Sequence, residues 1–279
     1  MPTELTPQFV EREYNNRALV PEHAEYFARW ERDSEFVRST LPCSLELPYG
    51  PDTRHRVDWF PAPNARGTLV FIHGGYWRSL DKAMFSWLAA AWVAAGVNVA
   101  MLNYRLSPSV RIEAIVEDAI LAINWLMDPS SPQGQGADSN RVVISGHSAG
   151  GHLTAALFAT DPARFSFDPK RIAGGVPISA VVDFAPLELF SFNSEFKLDA
   201  NSIAALNLHD KRPLLSAPLV VAAGAAESSE FQRQSRLLAE AWAPQVQSLL
   251  LLPGVNHFSV VDAFSERGQP LYEATLALF

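Results

Sequence analysis

The chain has 279 residues, 48% of them hydrophobic and 19% charged, which is enough apolar material for one substantial core in an ordinary globular composition. A formal net charge of −8 argues against nucleic acid or an anionic membrane surface as a partner, and a lone cysteine, Cys43, excludes an intrachain disulfide framework and fits a reducing compartment. No run is apolar and long enough to span a bilayer, and the start at Met1 to Thr6 has neither the basic region nor the apolar core of a signal peptide, so a cytoplasmic protein is expected.

Residues 1–41 read as a helical extension. Thr6-Pro7 is a cap followed by proline in the first turn, and Pro21-Glu22 opens a second helix in which Ala24, Phe27, Trp30 and Val37 recur at helical spacing and ask to be packed on a main domain. Ser44 to Pro48 and Val57 to Phe60 predict an antiparallel strand pair at a sheet edge, interrupted by Gly50-Pro51 and ended by Pro61-Ala62-Pro63. From Gly67 the rhythm changes. Thr68 to Ile72 is a continuous apolar run, the pattern of a strand covered on both faces. A helix over Lys82–Ala95, a strand over Val97–Leu102, a helix from Val110 to Met127 and a strand over Arg141–Ser145 follow, with a polar loop from Asp128 to Asn140. After an apolar run from Ile172 to Val182, the irregular segment 183–213 reads as a small cap over the active face. The alternation resumes with a strand over Leu219–Ala223, a helix over Glu230–Trp242, a strand over Ser248–Leu252 and a last helix through Phe279. Strands alternating with helices predict a single α/β domain over 1–279, with a mostly parallel central sheet and helices on both faces.

Gly146-His147-Ser148-Ala149-Gly150 stands where a buried strand must turn into a helix, the context of a Gly-x-Ser-x-Gly nucleophile elbow. A serine hydroxyl needs a base within hydrogen-bond reach and a carboxylate to orient that base, and in this arrangement they follow in the order acid, then histidine. His257, on the loop after the Ser248–Leu252 strand, is the only histidine after His209. Glu227 is the first carboxylate past the turn after Ala223 and is taken as the acid, with Glu230 as the alternative. His73-Gly74-Gly75-Tyr76-Trp77 follows the Thr68–Ile72 strand at the place of an oxyanion loop. The amides of Gly75 and Tyr76, with Gly74 beside them, and of Ala149 are the expected oxyanion donors, while His73 braces the loop. His147 and His152 are read as structural neighbours, and Cys43 as an inert thiol. No dinucleotide, phosphate-loop or metal-site spacing is present, so neither cofactor nor metal is expected.

These motifs, with Asn103-Tyr104-Arg105-Leu106, Glu230-Phe231, Arg233-Gln234-Ser235, Asn256-His257-Phe258 and the Tyr14-Asn15-Asn16-Arg17 start, resemble the arylformamidase (kynurenine formamidase) branch of the α/β-hydrolases. Tyr76-Trp77 is the discriminating piece, because lipase-like esterases carry a third glycine there. The resemblance implies an α/β-hydrolase fold and cleavage of an N-formyl aryl amide to formate and an aromatic amine by a triad of Ser148, Glu227 and His257. Glu227 departs from the aspartate usual in that family. The implied partner is a small aromatic substrate, with Tyr76 and Trp77, joined by Phe190, Phe192 and Phe196, as pocket walls or as core. Arg78, Lys82 and Arg105 are the candidates to meet a substrate carboxylate. A carboxylesterase acting on small esters is the alternative reading, and a non-catalytic ligand-binding protein the remote one.

Overall fold

The computed structural model describes residues 5–131 and 141–279; the sequence readings of residues 1–4 and of the loop from Pro132 to Asn140 fall outside them. Among the described residues the strands are β1 (Ser44–Pro48), β2 (Arg56–Phe60), β3 (Thr68–Ile72), β4 (Asn98–Leu102), β5 (Val142–His147), β6 (Ile172–Ile178), β7 (Leu219–Gly224) and β8 (Val246–Leu252). They form one sheet in the order β1-β2-β4-β3-β5-β6-β7-β8. The β1–β2 and β2–β4 pairs are antiparallel and the rest parallel, so the sheet is the expected mostly parallel one with an antiparallel edge.

The helices are α1 (Pro7–Tyr14), α2 (Asn16–Leu19), α3 (His23–Thr40), α4 (Ala89–Ala94), α5 (Ile112–Met127), α6 (Ala149–Phe158), α7 (Asn193–Phe196), α8 (Ala200–Leu206), α9 (Ser229–Ala241), α10 (Ser259–Ser265) and α11 (Pro270–Leu276). Alternate residues of the central strands enter two separate cores. Val70, Ile72 and Ile144 face α5, α6 and α9, while Leu69, Phe71 and Val143 face α3, α4, α10 and α11. Every residue of β3, β4 and β5 is buried, as strands covered on both faces require.

The expected helix over Lys82–Ala95 is a 3₁₀ segment, Lys82–Leu88, leading into the short α4. Its backbone is engaged from outside: the Trp87 amide donates to Ser34 Oγ at 3.1 Å, and the Arg38 guanidinium binds the Ala83 carbonyl. The expected last helix is two helices, parted where Gly268 takes φ +91° and Pro270 opens α11. The N-terminal extension starts as read, with Thr6 Oγ accepting from the Phe9 amide at 3.2 Å, but bends at Asn15 into the short α2 before α3. No helix of the described residues is long and apolar enough to cross a membrane. Cys43 is half-buried, and burial together with Asp58 raises its thiol pKa, which keeps it protonated and poorly nucleophilic.

Candidate active site

Strand β5 runs through His147, and α6 begins at Ala149. The one residue between them, Ser148, takes φ +56° and ψ −114°, a conformation an L residue adopts only when its surroundings impose it. They do so here through close approach. A Cβ on Gly146 would lie 2.2 Å from the Gly150 carbonyl oxygen, and one on Gly150 would lie 1.9 Å from that of Ile72, so both positions must be glycine. The Ser148 amide donates to the Ile178 carbonyl at 2.8 Å, which pins the turn to β6. Ser148 is buried but lines a cleft that His257 also lines.

Glu227, taken as the acid, and Glu230, its alternative, part company. Glu227 Oε2 accepts from His257 Nδ1 at 2.6 Å, and Glu227 Oε1 accepts from the Ser179 hydroxyl at 2.6 Å and the Gly224 amide at 2.7 Å. All of Glu227's side-chain partners are donors, which fixes the direction of both carboxylate oxygens. Glu230 faces elsewhere, taking the Tyr14 hydroxyl at 2.8 Å and Arg233 at 2.8 Å. Ser179 is a functional neighbour that the sequence reading missed; its signal is a lone hydroxyl near the end of an otherwise apolar run, and its backbone sits at φ +49°. Among the described residues the Ser148 hydroxyl forms no hydrogen bond to His257, a contact that in free enzymes is often long until substrate closes the site. His147 packs 4.6 Å from His257, centroid to centroid, and burial drives its pKa well below the usual value, so it stays neutral.

Gly74 sits so close to the elbow that a Cβ on it would be 3.2 Å from Ser148 Cβ. Gly75, Tyr76 and Trp77 then all take positive φ, at 105°, 51° and 54°. Among the described residues the amides of Gly75, Tyr76 and Ala149 donate to nothing, the state expected of groups reserved for an oxyanion. His73 sets Nδ1 2.7 Å from the Gly74 carbonyl and Nε2 2.9 Å from Asn103 Oδ1, two acceptors of which a neutral ring donates to one, and its ring stacks on Tyr104 at 4.4 Å. Burial lowers its pKa to about 4, so it serves as a neutral brace beneath the loop.

Trp77 is not a pocket wall. It is fully buried outside the cleft, packed against His152, Phe184 and Phe196, where it wedges the loop into its strained path. Tyr76 does line the cleft, and so does Phe192, but Phe190 and Phe196 are core residues behind them. Of the basic candidates, Lys82 is buried against Asp58 and Glu46, and Arg105 is paired with Asp118; neither lines the cleft. Arg78 lines it, with both ends of its guanidinium held by Glu195. The N-terminal extension contributes a wall through Asn16, Arg17, Phe27 and Trp30, which its helical periodicity could not announce. Among the described residues no cluster of His, Cys, Asp and Glu could hold a metal ion.

Residues 69–226 match a family model described as the α/β hydrolase fold. The chain belongs to the α/β-hydrolase fold family. Within that family this hydrolase is 24% identical over 271 residues to the kynurenine formamidase of Salmo salar, covering 93% of this chain and 90% of that one. It is 27% identical to the kynurenine formamidase of Drosophila melanogaster, over 77% of this chain and 75% of the relative. A crystal structure from Silicibacter sp. TM1040, provisionally described as a thioesterase, superposes with a TM-score of 0.83 at 33% identity, over 95% of this chain and 96% of that one.

Proposed function

We propose that this hydrolase cleaves an N-formyl aryl amide to formate and an aromatic amine through a formyl-serine intermediate. The observation that carries the reading is the Glu227–His257 pair, in contact at 2.6 Å, whose His257 lines the same cleft as Ser148. His257 Nε2 takes the proton of the Ser148 hydroxyl as Oγ adds to the formyl carbon, and the carbonyl oxygen gains charge against the free amides of Gly75, Tyr76 and Ala149. Collapse breaks the C–N bond, and His257 returns its proton to the departing amine nitrogen. Water then adds to the formyl-serine with His257 again as base, and formate leaves as Ser148 regains its proton. Glu227 holds the ring with Nδ1 protonated and offsets the imidazolium charge, while neutral His147 adds no opposing charge beside it. Tyr76, Phe192, Phe27 and Trp30 supply flat apolar walls for the aryl group.

Ester or thioester hydrolysis by the same groups is the second reading, favoured by the provisional description of the Silicibacter protein. Specificity constants for formanilide, phenyl acetate and an acyl thioester, measured under one set of conditions, separate them. A formamide value exceeding the others by about tenfold or more is expected; an enzyme that leaves formanilide intact while turning over the ester or thioester would reverse the assignment.

A further inference from the structure

No carboxylate is among the residues lining the cleft, although the protein as a whole carries a net charge of −8. Its walls include two arginines. Arg78 is neutralised by Glu195, with contacts at 2.8 and 2.5 Å. Arg17 has no carboxylate partner among the described residues, and its guanidinium rests 5.4 Å from the centre of the Phe27 ring, a contact that orients the group without neutralising it. The preceding residue, Asn16, is 5% exposed and lines the same cleft, and its Nδ2 is buried with no hydrogen-bond partner among the described residues. Buried amide donors are nearly always paired, so an orphan at a cavity wall marks a place for a ligand acceptor.

The corner that carries these two residues is fixed relative to the reaction centre. Asn15 caps α2 by accepting the Ala18 amide at 3.2 Å, and the Tyr76 hydroxyl, on the oxyanion loop, donates to the Tyr14 carbonyl at 2.5 Å. We propose that Asn16 and Arg17 form a subsite for an anionic group, best a carboxylate, on the acyl substrate whose carbonyl is attacked by Ser148. The inference rests on Ser148 as the nucleophile but not on the bond being a formamide. Arg17 offers a planar fork and Asn16 a further N–H, a donor set that fits carboxylate oxygens and has nothing to offer a cation. At the exposed mouth of the cleft, an unpaired cation also draws anionic substrate inward against the negative average field of the molecule.

The test compares matched neutral and anionic substrates in two bond classes: formanilide against a (formamidophenyl)propanoate, and phenyl acetate against an (acetoxyphenyl)propanoate. For Arg17→Ala, the ratio of kcat/KM for the anionic substrate to that for its neutral partner is expected to fall about tenfold or more, chiefly through KM, with Arg17→Lys recovering part of the loss. Asn16→Ala should lower the same ratio. Turnover of the neutral partner reports that each variant is folded. A ratio held within about twofold of the parent in Arg17→Ala, in whichever class is turned over, would overturn the subsite. If formamides are not substrates at all, the formamide reading falls and the ester pair still decides the role of Arg17.

Discussion

Glu227 and Glu230 stand one helical turn apart, and either could follow β7 as a triad acid. The fold separates them: Glu227 lies in the turn before α9, where β6 brings Ser179 and the loop after β8 brings His257, while Glu230 lies inside the helix and meets Tyr14 and Arg233. Chain order favours Glu227, as the first carboxylate past the turn, over Glu230, and the contacts that part them come from strands that are not neighbours in sequence. Glu227→Gln removes the charge that offsets a protonated His257 and disturbs the tautomer, and kcat is expected to drop by about a thousandfold or more with little change in fold. Glu230→Gln is expected to lower stability by about 1–3 kcal/mol, read by urea unfolding, because buried Tyr14 and Arg233 lose a charged acceptor, while kcat stays within about tenfold of the parent. Equal losses of activity in the two variants would contradict the division of roles.

At the scale of elements, the parallel strands, the strand-to-helix turn at Ser148 and the glycine loop after β3 were legible because buried strands and glycine turns leave local signatures: continuous apolar runs, and Gly146 and Gly150 on either side of Ser148. The end of the last helix and the 3₁₀ segment were not, since the latter depends on Ser34 and Arg38 reaching across from α3. The role of the N-terminal extension was half legible. Its apolar stripe announces that it packs, but not that Asn16 and Arg17 face the cleft. Trp77 shows the same limit, since an aromatic beside an oxyanion loop can equally face substrate or core. Because it is a fully buried wedge under a loop of three consecutive positive-φ residues, Trp77→Ala is expected to cost about 3–5 kcal/mol in urea unfolding. It should also lower kcat more than it raises KM, as the amides of Gly75 and Tyr76 lose their fixed aim. A stable variant whose KM alone rises would return Trp77 to the pocket wall.

At the scale of the molecule, three buried histidines set a response to acid. Burial lowers His73 to about 4, His152 to about 3 and His147 well below its usual value near 6.5. Each is neutral in the folded state and takes up a proton once unfolded, so the unfolded chain binds more protons between pH 6.5 and about 4. The stability these residues contribute is therefore complete above pH 6.5 and is lost as pH falls through that window, each proton adding about 1.4 kcal/mol per pH unit to the slope. Unfolding free energies measured from pH 7 to 4.5 should fall with a slope approaching three protons, and His73→Gln, which retains polar contacts, should flatten it by one. The proposed chemistry nevertheless turns on one atom, the hydroxyl oxygen of Ser148, and on the bond it attacks. The most direct test is formate release from N-formylkynurenine, followed side by side for the parent and Ser148→Ala. Steady release by the parent, with a loss of about ten-thousandfold or more in the variant, is the expected result; release at the parent's rate from Ser148→Ala, or no formate from either, would contradict it.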